Sequence, residues 1–323
     1  MRSPAARGLA VAFVLPWLLW AAVRVFGWDA GYPLVPAISF TPYVAVASVL
    51  PLAGGILVRS RLAVALALVA VTAFAAVLLP RGLSGSTPTT AAGPVLRVAT
   101  MNLYFGQADT DAVIRLVDAR AVDVLALQEL TPEALERLLE GGISELLPFQ
   151  VVSPEARSAG GGGLFSRFPL TESASASGEG LFQQPGAAID VPGAAALTVT
   201  SVHAFPPATT PASVRQWTAD LAALPPARSG DGLSLLLGDF NATLDHAALR
   251  DVLGAGYADA ASRVGMGWTL TWCGNDALPG LTIDHVLVPE PVAVESFDVA
   301  TVAGTDHRFV TAVLRLPGFA ALA

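Results

Sequence analysis

The stretch "LLLGDFNATLD", Leu235–Asp245, decides how the rest of the chain is read. A run of apolar residues stops at Gly238, and a carboxylate, Asp239, and an amide, Asn241, follow with Phe240 between them. In an extended strand alternate side chains share a face, so Asp239 and Asn241 can point to one side while Phe240 packs on the other. Alone, such a strand end is an ordinary place for turn residues, because Asp and Asn favour turns.

Five other apolar stretches carry polar residues of the same narrow kind: "VATMNLY" with Asn102, "VLALQEL" with Gln128 and Glu129, "VTSVHAF" with His203, "LTIDHVLV" with Asp284, and "AGTDHRFV" with Asp306 and His307. All are hard-oxygen or imidazole groups. Hard divalent cations such as Mg²⁺ take oxygen ligands and often keep waters beside one or two carboxylates. Glu129, Asn102 and Asp306 can supply such oxygens, and Asp284 with His307 can form an Asp–His pair of the kind that orients an imidazole.

The chain surrounding these residues falls into two compositions. Of 323 residues, 53% are hydrophobic and 14% charged, against about 25% charged in an average soluble chain. Every one of the 18 basic residues is Arg, and Cys273 is the only cysteine, which excludes an intrachain disulfide. Three apolar stretches, about 8–26, 34–58 and 62–79, each approach the roughly 20 residues that span a bilayer. We read residues 1–80 as three transmembrane helices. Arg2, Arg7, Arg59 and Arg61 flank them on one side, which places the amino terminus in the cytoplasm and everything after Leu79 outside. Residues 81–94, rich in Gly, Ser, Thr, Pro and Ala, read as a flexible linker, and 95–323 as a globular domain. That domain is acidic, which opposes non-specific binding to a nucleic-acid backbone. Its short strands with fewer, irregularly spaced helices point to an α+β fold.

In order and type, Asn102, "QE" 128–129, "SVH" 201–203, "GDFN" 238–241, "IDH" 283–285 and "TDH" 305–307 resemble the endonuclease/exonuclease/phosphatase family. The glycine-rich "GGGGLFSRFPL", 160–170, is similar to one of its strands. The resemblance implies a four-layer α/β/β/α sandwich of two mixed β-sheets with outer helices. It implies hydrolysis of a phosphate ester by water with one or two Mg²⁺ or Mn²⁺ ions, in a nuclease or a lipid or small-molecule phosphoesterase. By motif, Glu129 is the main metal ligand, Asn102 assists it and Asp306 serves a second ion. Asp239 orients or deprotonates water, Asn241 holds the phosphoryl oxygen or that water, His203 and His307 contact the phosphate, His307 does acid–base work and Asp284 pairs with it. Trp272 is a weaker substrate-binding candidate. A non-catalytic binding module on the same fold is the alternative. The expected partners are a phosphate-ester substrate (nucleic acid, phospholipid head group or small molecule) and the lipid bilayer. His246 reads as a surface residue, and His285, alternating away from Asp284, has no assigned role.

Overall fold

The computed structural model describes residues 3–85, 92–156, 158–173, 181–229, 232–274 and 277–318. The chain forms two compact units, one of Met1–Pro80 with Leu244–Ala247, the other of Arg81–Thr243 with Ala248–Ala323.

In the helical unit, Ser3 caps a 23-residue helix, α1 (Pro4–Phe26), through its hydroxyl, and Gly27 ends it in the left-handed region that glycine reaches without a Cβ clash. The second apolar stretch is not one helix. It breaks into α2 (Leu34–Ile38), α3 (Thr41–Ala47) and α4 (Val49–Val58). Pro36, Pro42 and Pro51 remove backbone donors along it, and Pro42 sits where a helix accepts proline, in the first turn of α3. Ser60 caps α5 (Arg61–Leu78). Pro4–Phe26, Thr41–Val58 and Arg61–Gly82 are each long and apolar enough to cross a membrane. Leu9, Leu19, Val46, Leu57, Leu62 and Val69 leave these helices with most of their side-chain surface exposed. The same unit holds Leu244–Ala247. Arg24 Nε donates to Asp245 Oδ1 at 2.6 Å and its Nη2 to Leu244 O, Ala247 N donates to Asp29, and His246 Nε2 lies 3.0 Å from Val35 O. His246 is therefore buried, not a surface residue.

In the globular unit two sheets pack face to face. In the first, the strands run in the order β12-β13-β1-β2-β4-β3, where β1 is Val95–Asn102, β2 Val124–Gln128, β3 Phe149–Ser153, β4 Gly162–Ser166, β12 Ala293–Thr301 and β13 Arg308–Arg315. β1 is parallel to β2 and antiparallel to β13, so the sheet is mixed. In the second the order is β10-β11-β9-β7-β6-β5, with β5 Leu170–Ser173, β6 Gly186–Ile189, β7 Leu197–His203, β9 Gly232–Asp239, β10 Tyr257–Asp259 and β11 Asp284–Pro289; the two-residue β8 (Arg228–Ser229) pairs with β9. Here β7 and β9 are parallel, while β11 runs antiparallel to β9. Leu96, Val98, Val124 and Val310 of the first sheet meet Val199, Leu235, Leu237 and Val286 of the second in one buried cluster. On its other side the first sheet packs Met101, Leu125, Leu127 and Phe165 against Val113 and Val117 of α6 (Thr110–Ala119) and Leu138 of α7 (Pro132–Glu140). Against the second sheet, Trp217 of α9 (Pro211–Ala222) is buried, with its indole N–H on Phe240 O. The result is the four-layer α/β/β/α sandwich.

Register then sets the site. β1 pairs Asn102 with Gln128, β7 pairs His203 with Asp239, and β9 pairs Asp239 with Asp284. The polar ends of strands from both sheets therefore meet at one edge of the sandwich.

Candidate active site

Asp239 ends β9 behind Gly238, whose φ is 155°. A Cβ there would stand 1.9 Å from Val202 O, so only glycine lets β9 lie this close to β7. Beyond it Asn241 takes a φ of 47°, uncommon for a non-glycine residue and tolerated best by Asn and Asp. The turn is held by bonds to its own side chains: Asn241 N donates to Asp239 Oδ1 at 2.8 Å and Asn241 Nδ2 to Ala204 O at 3.0 Å. Glu129, also at positive φ, follows β2 and turns its carboxylate back to accept from Asn102 Nδ2 at 3.0 Å and Phe105 N at 2.7 Å.

The two sheets are joined through amides. Asn102 Nδ2 also donates to Asp239 Oδ2 at 3.1 Å, so one side chain of the first sheet bridges carboxylates from both. As placed, its oxygen accepts from Tyr104 N and is turned from the cluster, although the sequence led us to expect an oxygen donor to the ion. Gln128, singled out only as the neighbour of Glu129, bonds Ser201 of the second sheet at 3.0 Å and Thr100 of its own. Glutamine in a continuous apolar strand was the signal for it, because a buried amide needs partners.

At the centre stand the two histidines. His307 Nδ1 lies 3.0 Å from both oxygens of Asp284, and its Nε2 lies 3.7 Å from Asp239 and 3.9 Å from Asp306. Burial would lower the His307 pKa, but the charges of Asp284, Asp239 and Asp306 outweigh it and push it up to about 10. His203, fully enclosed and stacked on Phe182 at 4.5 Å, is driven the other way, to about 3, by burial and then by the charge of His307. One histidine is thus a cation and the other neutral. Burial raises Glu129 and Asp239 from the ordinary carboxylate range. Asp306 accepts from the Trp272 indole at 2.7 Å through one oxygen, while the other is buried without a hydrogen-bond partner. Trp272 therefore acts on Asp306, a link not visible in the sequence, while Cys273 is exposed.

His285, which the sequence left without a role, lies on the opposite face of β11. It bonds Asp259 through Nδ1 at 3.0 Å and Ala242 O through Nε2 at 2.9 Å, and it meets the Phe240 ring edge-on. Both nitrogens face acceptors, an arrangement that favours the protonated ring. Burial opposes that charge, but Asp259 raises its pKa, and burial is likewise outweighed at Asp259, which His285 lowers.

The donor set fits a hard divalent cation. The Asp239, Asp284 and His307 ligand atoms lie within 4.8 Å of one another, Asn102 ties Glu129 to Asp239, and a buried oxygen of Asp306, 3.9 Å from His307, has no hydrogen-bond partner. Asp284 is already committed to His307; Glu129 and Asp239 accept hydrogen bonds but keep lone pairs that could reach an ion, and Asp306 Oδ1 has no hydrogen-bond partner. A two-sheet α+β sandwich with carboxylates, two histidines and an amide-bridged edge is consistent with a metal-dependent hydrolase of phosphate esters. The model of the endonuclease/exonuclease/phosphatase family matches residues 99–307, and the chain belongs to that family. Among solved structures, a humanized TDP2 from D. rerio is 17% identical, with a TM-score of 0.53 over 68% of this chain and 98% of that one. An endonuclease/exonuclease/phosphatase from Beutenbergia cavernae is 20% identical, with a TM-score of 0.53 over 70% of this chain and 72% of that one. These likenesses show the shared fold. No curated protein matches the chain.

Proposed function

We propose that the protein is a membrane-anchored phosphoesterase that hydrolyses a phosphodiester or phosphomonoester by metal-assisted attack of water. The observation that carries the reading is the pairing of a cationic His307, held by Asp284, with Asp239 3.7 Å away. Glu129 and Asp306 would hold Mg²⁺ or Mn²⁺, with Asn102 fixing Glu129. Such an ion polarises a phosphoryl oxygen and neutralises charge that builds on it. Asp239 accepts the proton of the attacking water, while His307 and the Asn241 amide steady the phosphate. Neutral His203 can donate one hydrogen bond to it without adding charge.

The helices Pro4–Phe26, Thr41–Val58 and Arg61–Gly82 support anchoring in a bilayer. Arg7, Arg59 and Arg61 at one end support a cytoplasmic amino terminus, hence an active site outside. For the substrate, a single-strand DNA product bound to D. rerio TDP2 favours a nucleic acid by analogy. The acidic domain and the exposed Tyr104–Phe105 pair beside Glu129 favour a lipid head group or small phosphodiester. The full-length chain in detergent, supplied with bis-(p-nitrophenyl) phosphate, single-stranded DNA and phospholipids, decides between them. Activity with Mg²⁺ or Mn²⁺ that chelator abolishes is the expected result; activity that survives both chelator and Asp239→Ala overturns the mechanism.

A further inference from the structure

Arg7, Gly8, Val11, Arg59, Ser60, Arg61 and Leu62 line a cavity of about 710 Å³ in the helical unit. The three arginines arrive from separate places: the first turns of α1, the residue that ends α4, and the first residue of α5. Arg59 ends α4 with a φ of 55°, a left-handed conformation that breaks the helix and turns its backbone into α5.

No counter-charge accompanies them. Asp29 is the sole acidic residue before Asp109, and it bonds Ala247 N. None of the three arginines forms an ion pair among the described residues. Arg24, the unit's remaining described arginine, shows the contrast: it is buried and paired with Asp245 at 2.6 Å. Arginine that only fixes topology needs no convergence on one cavity. Three unpaired guanidiniums around one concavity are an anion site, and guanidinium forks match phosphate oxygens two at a time.

We propose that this cavity binds the phosphate of an anionic phospholipid head group, which the arginines clamp while Val11 and Leu62 meet the start of its acyl chains. The inference rests on the reading that these helices span a bilayer. Juxtamembrane Lys and Arg are drawn to an anionic surface, and three in one cavity convert that diffuse attraction into retention of individual lipids.

The full-length protein in nanodiscs tests it. Native mass spectrometry, after detergent release, counts phosphatidylglycerol retained from a mixed phosphatidylcholine and phosphatidylglycerol bilayer. The wild type is expected to keep phosphatidylglycerol over phosphatidylcholine by about tenfold, and Arg7→Gln/Arg59→Gln/Arg61→Gln to lose that preference. Inorganic phosphate added in millimolar excess is expected to leave the retained lipid in place; displacement by it would assign the cavity to free phosphate and overturn the proposal, as would equal retention of both lipids by the wild type. Chelator-sensitive phosphodiesterase activity, recorded on the same samples, reports the catalytic reading separately. A variant that fails to enter nanodiscs is replaced by the single changes Arg7→Gln and Arg61→Gln, each expected to reduce the preference severalfold. Insertion of none of these proteins, wild type included, overturns the bilayer reading on which the proposal stands.

Discussion

At the level of single residues, the site puts opposite demands on its two histidines, and substitution separates them. His307→Gln removes the cation that Asp284 holds against the phosphate and is expected to cost about 10²–10³ in kcat, the usual range for loss of one electrostatic stabiliser. His203→Gln keeps a neutral hydrogen-bond donor and is expected to cost far less. Equal losses in the two, measured as kcat with Mg²⁺, would refute the division of roles. The linkage for His307 has a definite sign. Its folded pKa, about 10, is above its ordinary value of 6.5. It therefore stabilises the fold fully below pH 6.5, and that contribution is lost as pH rises from 6.5 toward 10. Thermal melts across pH 6 to 10, wild type against His307→Gln, are expected to converge at the alkaline end; parallel curves would contradict it. His285 behind the turn acts as a positioning residue for Asn241. His285→Phe is expected to lower kcat by at least tenfold with little change in KM, and His285→Gln, which keeps one donor, to recover part of it. The recovery separates positioning from a general loss of fold.

At the level of elements, β1, β2, β4, β7, β9, β11 and β13 and the helices α6, α7 and α9 were legible because apolar runs and helix caps are local, while the remaining strands, such as β3, β5, β6 and β12, were not. Thr131 caps α7 and Thr210 caps α9, each through its own side chain. The residues that meet at the edge of the sandwich could be singled out for the same reason, as polar groups at the ends of apolar strands. Their roles were not all legible. Trp272 on Asp306, Gln128 between the sheets and the His285–Asp259 pair join residues 26 to 73 positions apart, and no local pattern records such a contact. The break of the second apolar stretch into α2, α3 and α4 was hidden because hydropathy does not register lost backbone donors. Gln128→Leu tests the bridge: it leaves Ser201 without this partner and is expected to lower the melting temperature, since a buried polar group deprived of its bond costs about 1–3 kcal/mol. An unchanged melt would show the bridge to be dispensable.

At the level of the whole molecule, the four residues Leu244–Ala247 lie just past the turn that carries Asn241, yet they are packed among the helices of residues 1–80. Asp245 is fully buried, and its charge is answered there by Arg24. A fragment cut at the linker would hence carry Asp245 and His246 stripped of Arg24, Val35 and Ser39, four and five positions downstream of Asn241. Removing one partner of a buried ion pair costs about 3–5 kcal/mol, so Arg24→Met in the full-length chain is expected to lower the melting temperature, and Arg24→Met/Asp245→Leu to recover much of it; no recovery would mean that the pair is not what holds this segment. Any secreted or trimmed form of the chain that lacks the first eighty residues would need a new partner for that one buried carboxylate.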